Sequence, residues 1–418
     1  MELLTRPSFI QAIGYLSSNH DSLYTLIYTE INQAPKVASL LQGIAAEEML
    51  ISAIQQVICE RVSNLPNVRM GKLGWNRFAL ILKLPVDQSL EIAEDLAQLL
   101  DKQTIEIEGV SYHPKLIIGV TPLSPEYKTP ERILAAVDEA LFQARRTGNS
   151  IVKLIEHDDP VLHDYYESLS LLPVIREGLK NRSFVLFSQP IVPTRPEVRS
   201  PPKHEVLLRF KNADGDIDAK SRILQTAELF HVSREIDYYV VHQFCRYFAQ
   251  QPTDAIYSLN ISGSTIRYSP FIEILAIEFE KFGVNPEQVC FEITETVVDR
   301  DYNQAIAFMN QLKARLGCLL SLDDIGVGSS NLVNLSKFNV DFLKIDGSFI
   351  QNFLEDPYSE LVVNFVTSAA RLYGRKTIAE YVENAKQFDK LAQLGVDFAQ
   401  GYFTGKPEVL FDPNLASG

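Results

Sequence analysis

The feature that most constrains the fold is a regular alternation of β-rich and amphipathic segments through the C-terminal half of the chain. Eight segments are rich in β-branched and aromatic residues, and most are separated by stretches with apolar residues at helical spacing. These segments are 184–192, 204–210, 255–262, 288–294, 318–325, 341–346, 377–382 and 398–403. Repeated βα units of this number and size favour a TIM-type (β/α)8 barrel. An open doubly wound sheet is the alternative.

The N-terminal half shows a shorter alternation of the same kind. Strand patterns at 23–31, 68–82 and 111–123 alternate with helical patterns at 47–62, 89–100 and 130–146. We therefore expect a compact α/β domain over residues 1–155 and a barrel domain over residues 170–412. The segment between them, 156–169, is acidic and contains a proline, which is typical of a linker.

The composition argues against several classes of protein. The formal net charge is −14, whereas a protein that binds a nucleic acid polymer needs a basic face for the phosphates. No window approaches the ~20 apolar residues of a membrane helix, and the N-terminus has no signal-peptide pattern. The four cysteines stand singly, so sulfur-bound metal is not expected. We expect a cytoplasmic protein without membrane insertion.

Polar residues interrupt the apolar strand patterns of the C-terminal half. They are Glu205, Asn260, Glu292, Asp323, Asp324, Lys344, Asp346, Glu380 and Gln400. In a (β/α)8 barrel the carboxyl ends of the strands converge on one mouth. Six or more acidic or amide groups gathered there would repel one another without a neutralising cation. An all-oxygen donor set without clustered His or Cys predicts Mg²⁺ or Mn²⁺, as two ions.

The adjacent pair Asp323 and Asp324 stands at the end of a strand pattern, in the sequence "LDDIGVG". Neighbouring residues on an extended strand point to opposite faces, so both can serve one site only where the backbone turns. Gly326 and Gly328 permit such a turn. Two metal ions about 3.5–4 Å apart suit an in-line displacement at phosphorus.

Eight motifs in order resemble those of the EAL-domain phosphodiesterases, over about residues 170–410. They are QPIV (189–192), EVLLR (205–209), LNIS (259–262), EITET (292–296), LDDIGVG (322–328), LKID (343–346), AEYVE (379–383) and QGYFTGKP (400–407). The resemblance implies a TIM-like barrel in which one strand runs antiparallel. It also implies hydrolysis of cyclic di-GMP to the linear dinucleotide pGpG with Mg²⁺ or Mn²⁺.

The resemblance also implies roles for individual positions. The implied metal ligands are Glu205, Asn260, Glu292, Asp323, Asp324 and Glu380. The implied catalytic residues are Glu205, Lys344, Glu380, Glu295 and Gln400. The implied substrate contacts are Gln189, Leu207, Arg209 and Asp346. Among these, Lys344 would orient and activate the attacking water, and Glu295 would fix the loop after the fifth strand.

Two segments depart from the family pattern. "DDIGVG" stands where the family usually has D-D-F-G-T-G, so Val327 replaces a hydroxyl residue, and the segment 214–228 lacks the family's prolines. These departures leave two alternatives to an active enzyme, namely a cyclic di-GMP receptor with little or no hydrolysis and a protein-interaction scaffold. Metal-dependent turnover separates the enzyme from the receptor, and nucleotide binding separates the receptor from the scaffold.

The N-terminal half resembles a degenerate GGDEF (diguanylate cyclase) domain. Its signature reads "GWNRF" at 74–78, and Asn76 and Arg77 stand where the family has metal-binding and catalytic acids. The family's earlier metal-binding aspartate falls on Glu30. Because Arg77 places a positive charge where two cations would sit, we expect a regulatory domain without cyclase activity. We expect its input through a protein partner or a dimer interface, and the resemblance implies a homodimer.

Overall fold

The computed structural model describes residues 3–18, 23–31, 44–74, 76–107, 110–146, 152–212, 215–218, 222–300, 302–326 and 337–415. The chain divides into two compact units, Met1–Glu167 and Ser168–Gly418. Val327 and Gly328 of the "DDIGVG" loop lie outside the described residues, as do residues 214 and 219–221 of the altered segment.

The N-terminal unit is built on a mixed sheet. Its strands are β1 (Leu3–Leu4), β2 (Thr25–Ile31), β3 (Arg69–Lys72), β4 (Arg77–Leu82), β5 (Ile105–Ile107), β6 (Val110–Tyr112), β7 (Leu116–Pro122) and β8 (Val152–Leu154). Six of them form one sheet in the order β1-β3-β4-β2-β7-β8, and β5 and β6 form a separate hairpin. The helices are α1 (Arg6–Ser17), α2 (Ile44–Val62), α3 (Val86–Asp101) and α4 (Pro130–Arg146).

Strand β4 shows why this sheet is covered on both faces. Successive side chains on a strand point to opposite faces. Phe78 and Leu80 pack in one core with residues of α2 and α3, whereas Ala79 and Ile81 pack in another core with residues of α1 and α4. The continuous apolar run of β4 is therefore typical of a strand that is buried between two helical layers.

Most of the N-terminal pattern is confirmed in outline. The helical patterns at 47–62, 89–100 and 130–146 lie within α2, α3 and α4. The strand pattern at 68–82 contains two antiparallel strands, β3 and β4, rather than one. Helix α1 was not predicted.

The C-terminal unit contains the second run of alternating elements. Its strands are β9 (Phe184–Pro193), β10 (Lys203–Lys211), β11 (Ile217–Asp218), β12 (Ile256–Asn260), β13 (Val289–Thr294), β14 (Leu319–Ile325), β15 (Phe342–Ile345), β16 (Lys376–Ala379), β17 (Phe398–Ala399) and β18 (Glu408–Phe411). Helix α5 (Pro160–Asn181) begins in the predicted linker and contains the boundary between the two units. The helices that follow are α6 (Ile223–Leu229), α7 (Ser233–Gln250), α8 (Gly263–Ile266), α9 (Phe271–Phe282), α10 (Glu295–Arg300), α11 (Tyr302–Arg315), α12 (Gly347–Gln351), α13 (Pro357–Leu372) and α14 (Ala385–Leu394).

Eight of these strands close into a barrel. Strands β10 and β12 to β17 pair with their neighbours in parallel and in chain order. Strand β9 pairs antiparallel with both β10 and β17 and so completes the circuit. The predicted barrel with one antiparallel strand is therefore confirmed, and the open doubly wound sheet is excluded.

The period of two along each strand positions the polar residues inside the barrel. One layer of the interior is apolar and contains Ile191, Cys290, Phe342, Ile378 and Phe398. The polar residues Glu292, Lys344, Glu380 and Gln400 each follow a member of this layer by two positions. They therefore point inward one level nearer the carboxyl ends of the parallel strands.

Candidate active site

Lys344, on β15, lies at the centre of a group of carboxylates and is fully buried. Its Nζ lies 2.7 Å from Glu380 Oε1 and 2.8 Å from Glu292 Oε2. It also lies 3.2 Å from Asp323 Oδ1 and 3.5 Å from Glu205 Oε2. Burial alone would lower the pKa of Lys344, but the four carboxylates raise it well above its ordinary value. Lys344 is therefore a charged ammonium group inside the barrel.

Two amide side chains fix the carboxylate of Glu205. Asn260 Nδ2 donates a hydrogen bond of 2.9 Å to Glu205 Oε1. Gln400 Nε2 donates to Glu205 Oε2 at 2.6 Å and to Gln189 Oε1 at 3.2 Å. Burial would raise the pKa of Glu205, but Lys344 and the two amides lower it below its ordinary value. Glu205 is thus held in its ionised form.

The neighbours Asp323 and Asp324 both reach this site because the strand bulges between them. The register of β14 against β15 shifts between Leu322 and Ile325. Asp324 has a φ of 58°, and its backbone N–H donates to Asp323 Oδ1 at 3.0 Å. Carboxylate oxygens of Asp323, Asp324 and Glu380 lie within 4.8 Å of one another.

This geometry changes the explanation of the turn. The sequence predicted that glycines would supply it, and Gly326 does have a positive φ of 108°. The turn nevertheless begins at Asp324, whose backbone adopts the left-handed conformation although it is not a glycine. Aspartate tolerates this conformation better than most residues.

Burial, followed by the neighbouring negative charges, raises the pKa of several acids of this group. Burial and the neighbouring carboxylates raise the pKa of Glu380 to about 8, against the opposing effect of Lys344. Burial and Asp323 raise the pKa of Asp324 to about 6. The pKa of Glu292 is raised well above its ordinary value, first by burial. One ammonium group therefore does not neutralise the carboxylates gathered here.

The donor atoms fit divalent cations. Within the described residues, Glu292 Oε1 and Gln400 Oε1 are buried and have no hydrogen-bond partner. A buried oxygen without a hydrogen-bond partner lowers the stability of the fold. Both of these oxygens belong to the group of side chains that contains the carboxylates. Carboxylate and amide oxygens are the ligands that Mg²⁺ and Mn²⁺ prefer. The residues are thus suited to hold such ions.

A cavity of about 430 Å³ opens beside this group. The predicted site residues that line it are Gln189, Glu205, Leu207, Arg209, Asp324, Asp346, Glu380 and Gln400. The lining residues that were not predicted are Tyr381, Glu383, Gly401, Tyr402 and Pro407. All five lie within the motifs AEYVE and QGYFTGKP, so motif membership was the signal that could have found them.

Like Gln189, the predicted substrate contacts Arg209 and Asp346 have contacts of their own within the protein. Arg209 Nη1 donates to the Leu208 carbonyl at 2.9 Å, and its guanidinium carbon lies 6.0 Å from the centre of the Phe187 ring. Asp346 caps helix α12 by accepting a hydrogen bond of 2.9 Å from the Ser348 backbone N–H. Both side chains also face the cavity.

Glu295 lies apart from the Lys344 group, at the start of α10. It is buried, and its Oε2 accepts a hydrogen bond of 3.2 Å from the Gly326 backbone N–H. Gly326 is the last described residue before the loop that follows β14. Glu295 therefore holds the beginning of that loop.

In the N-terminal unit, Arg77 contacts the acid that the resemblance assigns to metal binding. Arg77 Nε lies 2.7 Å from Glu30 Oε2, and Nη1 lies 3.2 Å from Asp138 Oδ1. Arg145 also pairs with Glu30. Asn76 is buried and donates to a backbone carbonyl. The carboxylates of Glu30 and Asp138 are thus neutralised by guanidinium groups.

The sequence profile of the EAL domain matches residues 174–407, more than half of the chain. The chain belongs to the EAL domain family. The profile described as "Diguanylate cyclase, GGDEF domain" matches residues 16–150 of this EAL-family chain. Among the described residues, no helix is both long enough and apolar enough to span a bilayer.

Curated relatives are similar over all or part of the chain. The cyclic di-GMP phosphodiesterase PdeB of Shewanella oneidensis is 26% identical over 415 residues, 98% of this chain and 47% of that protein. The cyclic di-GMP phosphodiesterase PdeF of Escherichia coli is 29% identical over 249 residues, 59% of this chain and 33% of that protein. The chain thus spans about half or less of the length of these relatives.

The structure of the PaMucR phosphodiesterase in complex with c-di-GMP also matches this chain. It is 26% identical, with a TM-score of 0.53, and the match covers 57% of this chain and 98% of that chain.

Proposed function

We propose that this EAL-family protein is a cyclic di-GMP-specific phosphodiesterase that hydrolyses cyclic di-GMP to linear pGpG. The observation that carries the proposal is the convergence of acids from different strands on Lys344 beside an open cavity. The relatives PdeB and PdeF, both named cyclic di-GMP phosphodiesterases, support the substrate class.

The proposed cofactors are two divalent cations, Mg²⁺ or Mn²⁺. Asp323, Asp324 and Glu380 would hold one ion, which their clustered oxygens support. Glu205, Asn260 and Glu292, together with Asp323, would hold the other. When bound, such ions lower the pKa of a coordinated water and neutralise charge on a phosphodiester.

The protein's own residues would position the reacting groups. Lys344 keeps its proton at Nζ and can donate a hydrogen bond to a water in the site. Gln400 and Asn260 hold both oxygens of Glu205 in one orientation. Glu295 would hold the start of the loop that follows Asp323 and Asp324.

The substrate contacts are proposed from the cavity lining. Arg209 places a guanidinium group beside the acidic site, where it can bind a phosphate oxygen through charge-assisted hydrogen bonds. Gln189 offers an amide, Leu207 an apolar surface and Asp346 a carboxylate. The combination suits a ligand that has both phosphates and bases with hydrogen-bonding edges.

We propose that the GGDEF-like domain is catalytically inactive and regulatory, with the domains divided at 1–155, 156–169 and 170–412. The pairing of Arg77 with Glu30 and Asp138 supports inactivity, because a guanidinium group already neutralises these acids. Its signal would come from a protein partner.

A cytoplasmic location and a homodimer are also proposed. The four cysteines are free thiols, as in a reducing compartment. One face of α13 exposes Tyr358, Leu361, Phe365 and Leu372. The partner would be a second copy of the chain, because an antiparallel two-fold pairing of α13 brings its acidic start near its basic end. Sedimentation of Phe365→Asp against the wild type tests the dimer.

A receptor that binds cyclic di-GMP without turnover is the second candidate. The observation that favours it is the position of Lys344, which pairs with four of the carboxylates that the proposed metal ions would need. If that arrangement persists in solution with Mg²⁺ or Mn²⁺ present, the nucleotide would bind and stay intact.

One experiment separates these functions. The purified chain is incubated with cyclic di-GMP and Mg²⁺ or Mn²⁺, and pGpG is measured by chromatography beside an Asp323→Asn variant. Formation of pGpG by the wild type alone supports the phosphodiesterase. Binding without turnover supports the receptor, and absence of both leaves a protein-interaction scaffold.

A further inference from the structure

Tyr381 has a strained backbone beside the candidate active site. Its φ is 54°, in the left-handed region that bulky side chains rarely adopt. Such strain persists only where the surrounding structure holds it, and it clusters at sites that bind ligands. Tyr381 directly follows Glu380, one of the proposed metal ligands, so the strain lies at the cavity.

Gly347 supports one side of the Tyr381 ring. A Cβ atom added to Gly347 would lie 2.6 Å from Tyr381 Cγ, which is too close for any side chain. The ring therefore packs directly on the backbone at the start of α12. This contact requires both the glycine and the unusual φ of Tyr381.

The rest of the Tyr381 side chain remains open. The residue is 58% exposed although its ring packs on Gly347, and it lines the 430 Å³ cavity together with Tyr402 and Arg209. A strained residue that holds an aromatic ring at the edge of a ligand cavity offers a flat surface to a flat ligand.

We propose that Tyr381 is a substrate-binding residue whose ring stacks against a purine base of the bound cyclic dinucleotide. This inference rests on the proposed function, because it takes the substrate from there. Stacking of a base on an aromatic side chain strengthens the binding of a nucleotide. It adds to the contacts that charged residues make with the phosphates. Arg209 lines the same cavity and offers a guanidinium group to the phosphate, while Tyr381 offers its ring to the base.

Two substitutions at Tyr381 separate the ring from its hydroxyl group. Binding of cyclic di-GMP is measured by calorimetry in EDTA, and KM and kcat are measured with Mn²⁺. Tyr381→Asn removes the ring, and asparagine tolerates the left-handed region. We expect it to weaken binding by about 5-fold or more and to raise KM more than it lowers kcat. Its melting temperature should not fall, since the strain is relieved. Tyr381→Phe should recover most of the affinity.

Further variants test the geometry independently. Gly347→Ala keeps the tyrosine but displaces the ring, so it should weaken binding as Tyr381→Asn does. Tyr373→Asn changes an exposed tyrosine that does not line the cavity, and it should bind as the wild type does.

The outcomes distinguish this inference from the proposed function. If the wild type binds but Tyr381→Asn binds equally well and melts lower, the ring is structural and the inference is wrong. An equal loss in Tyr381→Phe and Tyr381→Asn would mean that the hydroxyl group binds the ligand, and stacking would be rejected. If the wild type itself neither binds nor cleaves cyclic di-GMP, the proposed function fails and the inference fails with it.

Discussion

Lys344 Nζ and Glu292 Oε2 lie 2.8 Å apart inside the barrel, and both side chains are at most 1% exposed. A pair this deeply buried makes each partner dependent on the other, because removal of one leaves an uncompensated charge. Without metal ions, Lys344 is thus the counter-ion that holds the acids of the site together.

The first prediction concerns removal of that counter-ion. Lys344→Met should lower the free energy of unfolding of the barrel by about 3–5 kcal/mol in EDTA, because the acids are left unpaired. Saturating Mn²⁺ should restore part of the loss, since a ligand that binds the folded state stabilises it by mass action. Thermal unfolding with and without Mn²⁺ measures both effects.

The matched control for this variant is Lys376→Met. Lys376 pairs with Asp397 at 2.9 Å but is 54% exposed, and an exposed ion pair contributes at most about 1 kcal/mol. A loss in Lys344→Met no larger than in this control would contradict the central role of Lys344.

The second prediction is that metal affinity rises with pH. Carboxylates must be ionised to bind metal, and the pKa of Glu380 is raised to about 8. Mn²⁺ affinity should therefore increase between pH 6.5 and 8.5 with release of a proton, as calorimetry in two buffers of different ionisation enthalpy can show. Glu380→Gln should bind more weakly and lose the pH dependence above pH 7. An affinity in the wild type that does not change with pH would argue against this pKa.

The raised pKa of Glu380 has the opposite effect on the stability of the metal-free barrel, which falls as the pH rises. A pKa raised in the folded state, from 4.5 to about 8 for Glu380, gives stability that is fully present below pH 4.5. That stability is lost as the pH rises through 8. In EDTA the barrel should therefore melt at a lower temperature at pH 8.5 than at pH 6.5, and Glu380→Gln should reduce the difference.

The third prediction concerns Asp237, a buried residue of α7. Its Oδ2 accepts hydrogen bonds of 2.9 Å from the Ser262 N–H, 2.6 Å from the Ser262 hydroxyl and 2.6 Å from the Thr265 hydroxyl. Ser262 lies two residues beyond Asn260. Asp237→Ala should cost about 3 kcal/mol of stability because three donors lose their acceptor. It should also lower kcat, because the chain that follows Asn260 loses its anchor.

Asp237→Asn provides the control. Its amide oxygen can replace the single accepting atom, so most of the stability should remain. Burial raises the pKa of Asp237 to about 6 from an ordinary 3.8, so its contribution to stability is lost as the pH rises through 6. The melting temperature of the wild type relative to Asp237→Asn should therefore fall between pH 5 and pH 7. No change over this interval would contradict the assigned pKa.

The fourth prediction concerns the N-terminal unit. The wild type should form no cyclic di-GMP from GTP and Mg²⁺, because Arg77 neutralises Glu30 and Asp138. Arg77→Met should also be inactive, because Arg145 still pairs with Glu30 and methionine offers no oxygen to a metal ion. It should lose only about 1 kcal/mol of stability, since the pair is partly exposed. Chromatography of the products tests both variants, and any cyclic di-GMP would overturn the regulatory assignment.

The sequence was informative where the fold repeats a simple period. Lys344 follows Phe342 by two positions and Glu380 follows Ile378 by two, so a polar layer above an apolar one could be read from the strands alone. The number of such units favoured a closed barrel, but only the pairing of β9 with both β10 and β17 excludes an open sheet.

The sequence was uninformative where one backbone angle decides the geometry. Asp324 and Tyr381 both have a positive φ. No local sequence pattern indicates which non-glycine residue will adopt the left-handed conformation. The packing of the Tyr381 ring on Gly347 depends on such an angle, so it was not predicted.

Helix α1 was missed for a different reason. Its helix signals exist, because Thr5 accepts a hydrogen bond from the Ser8 N–H and Pro7 lies in the first turn. The apolar pattern is obscured because Tyr15 is 69% exposed while the smaller Ala12 is buried.

The antiparallel strand β9 has a consequence for how the barrel forms. Its residue Val192 pairs with Ala399 of β17. The barrel therefore cannot close until β17, one of its last strands in the chain, has joined β9, the first. Contacts between such distant parts of a chain slow folding. Until they form, β9 and β16 present open edges that can pair with other chains. During synthesis, the barrel can therefore close only after its final strands have left the ribosome. A chain that ends before β17 would be prone to aggregate.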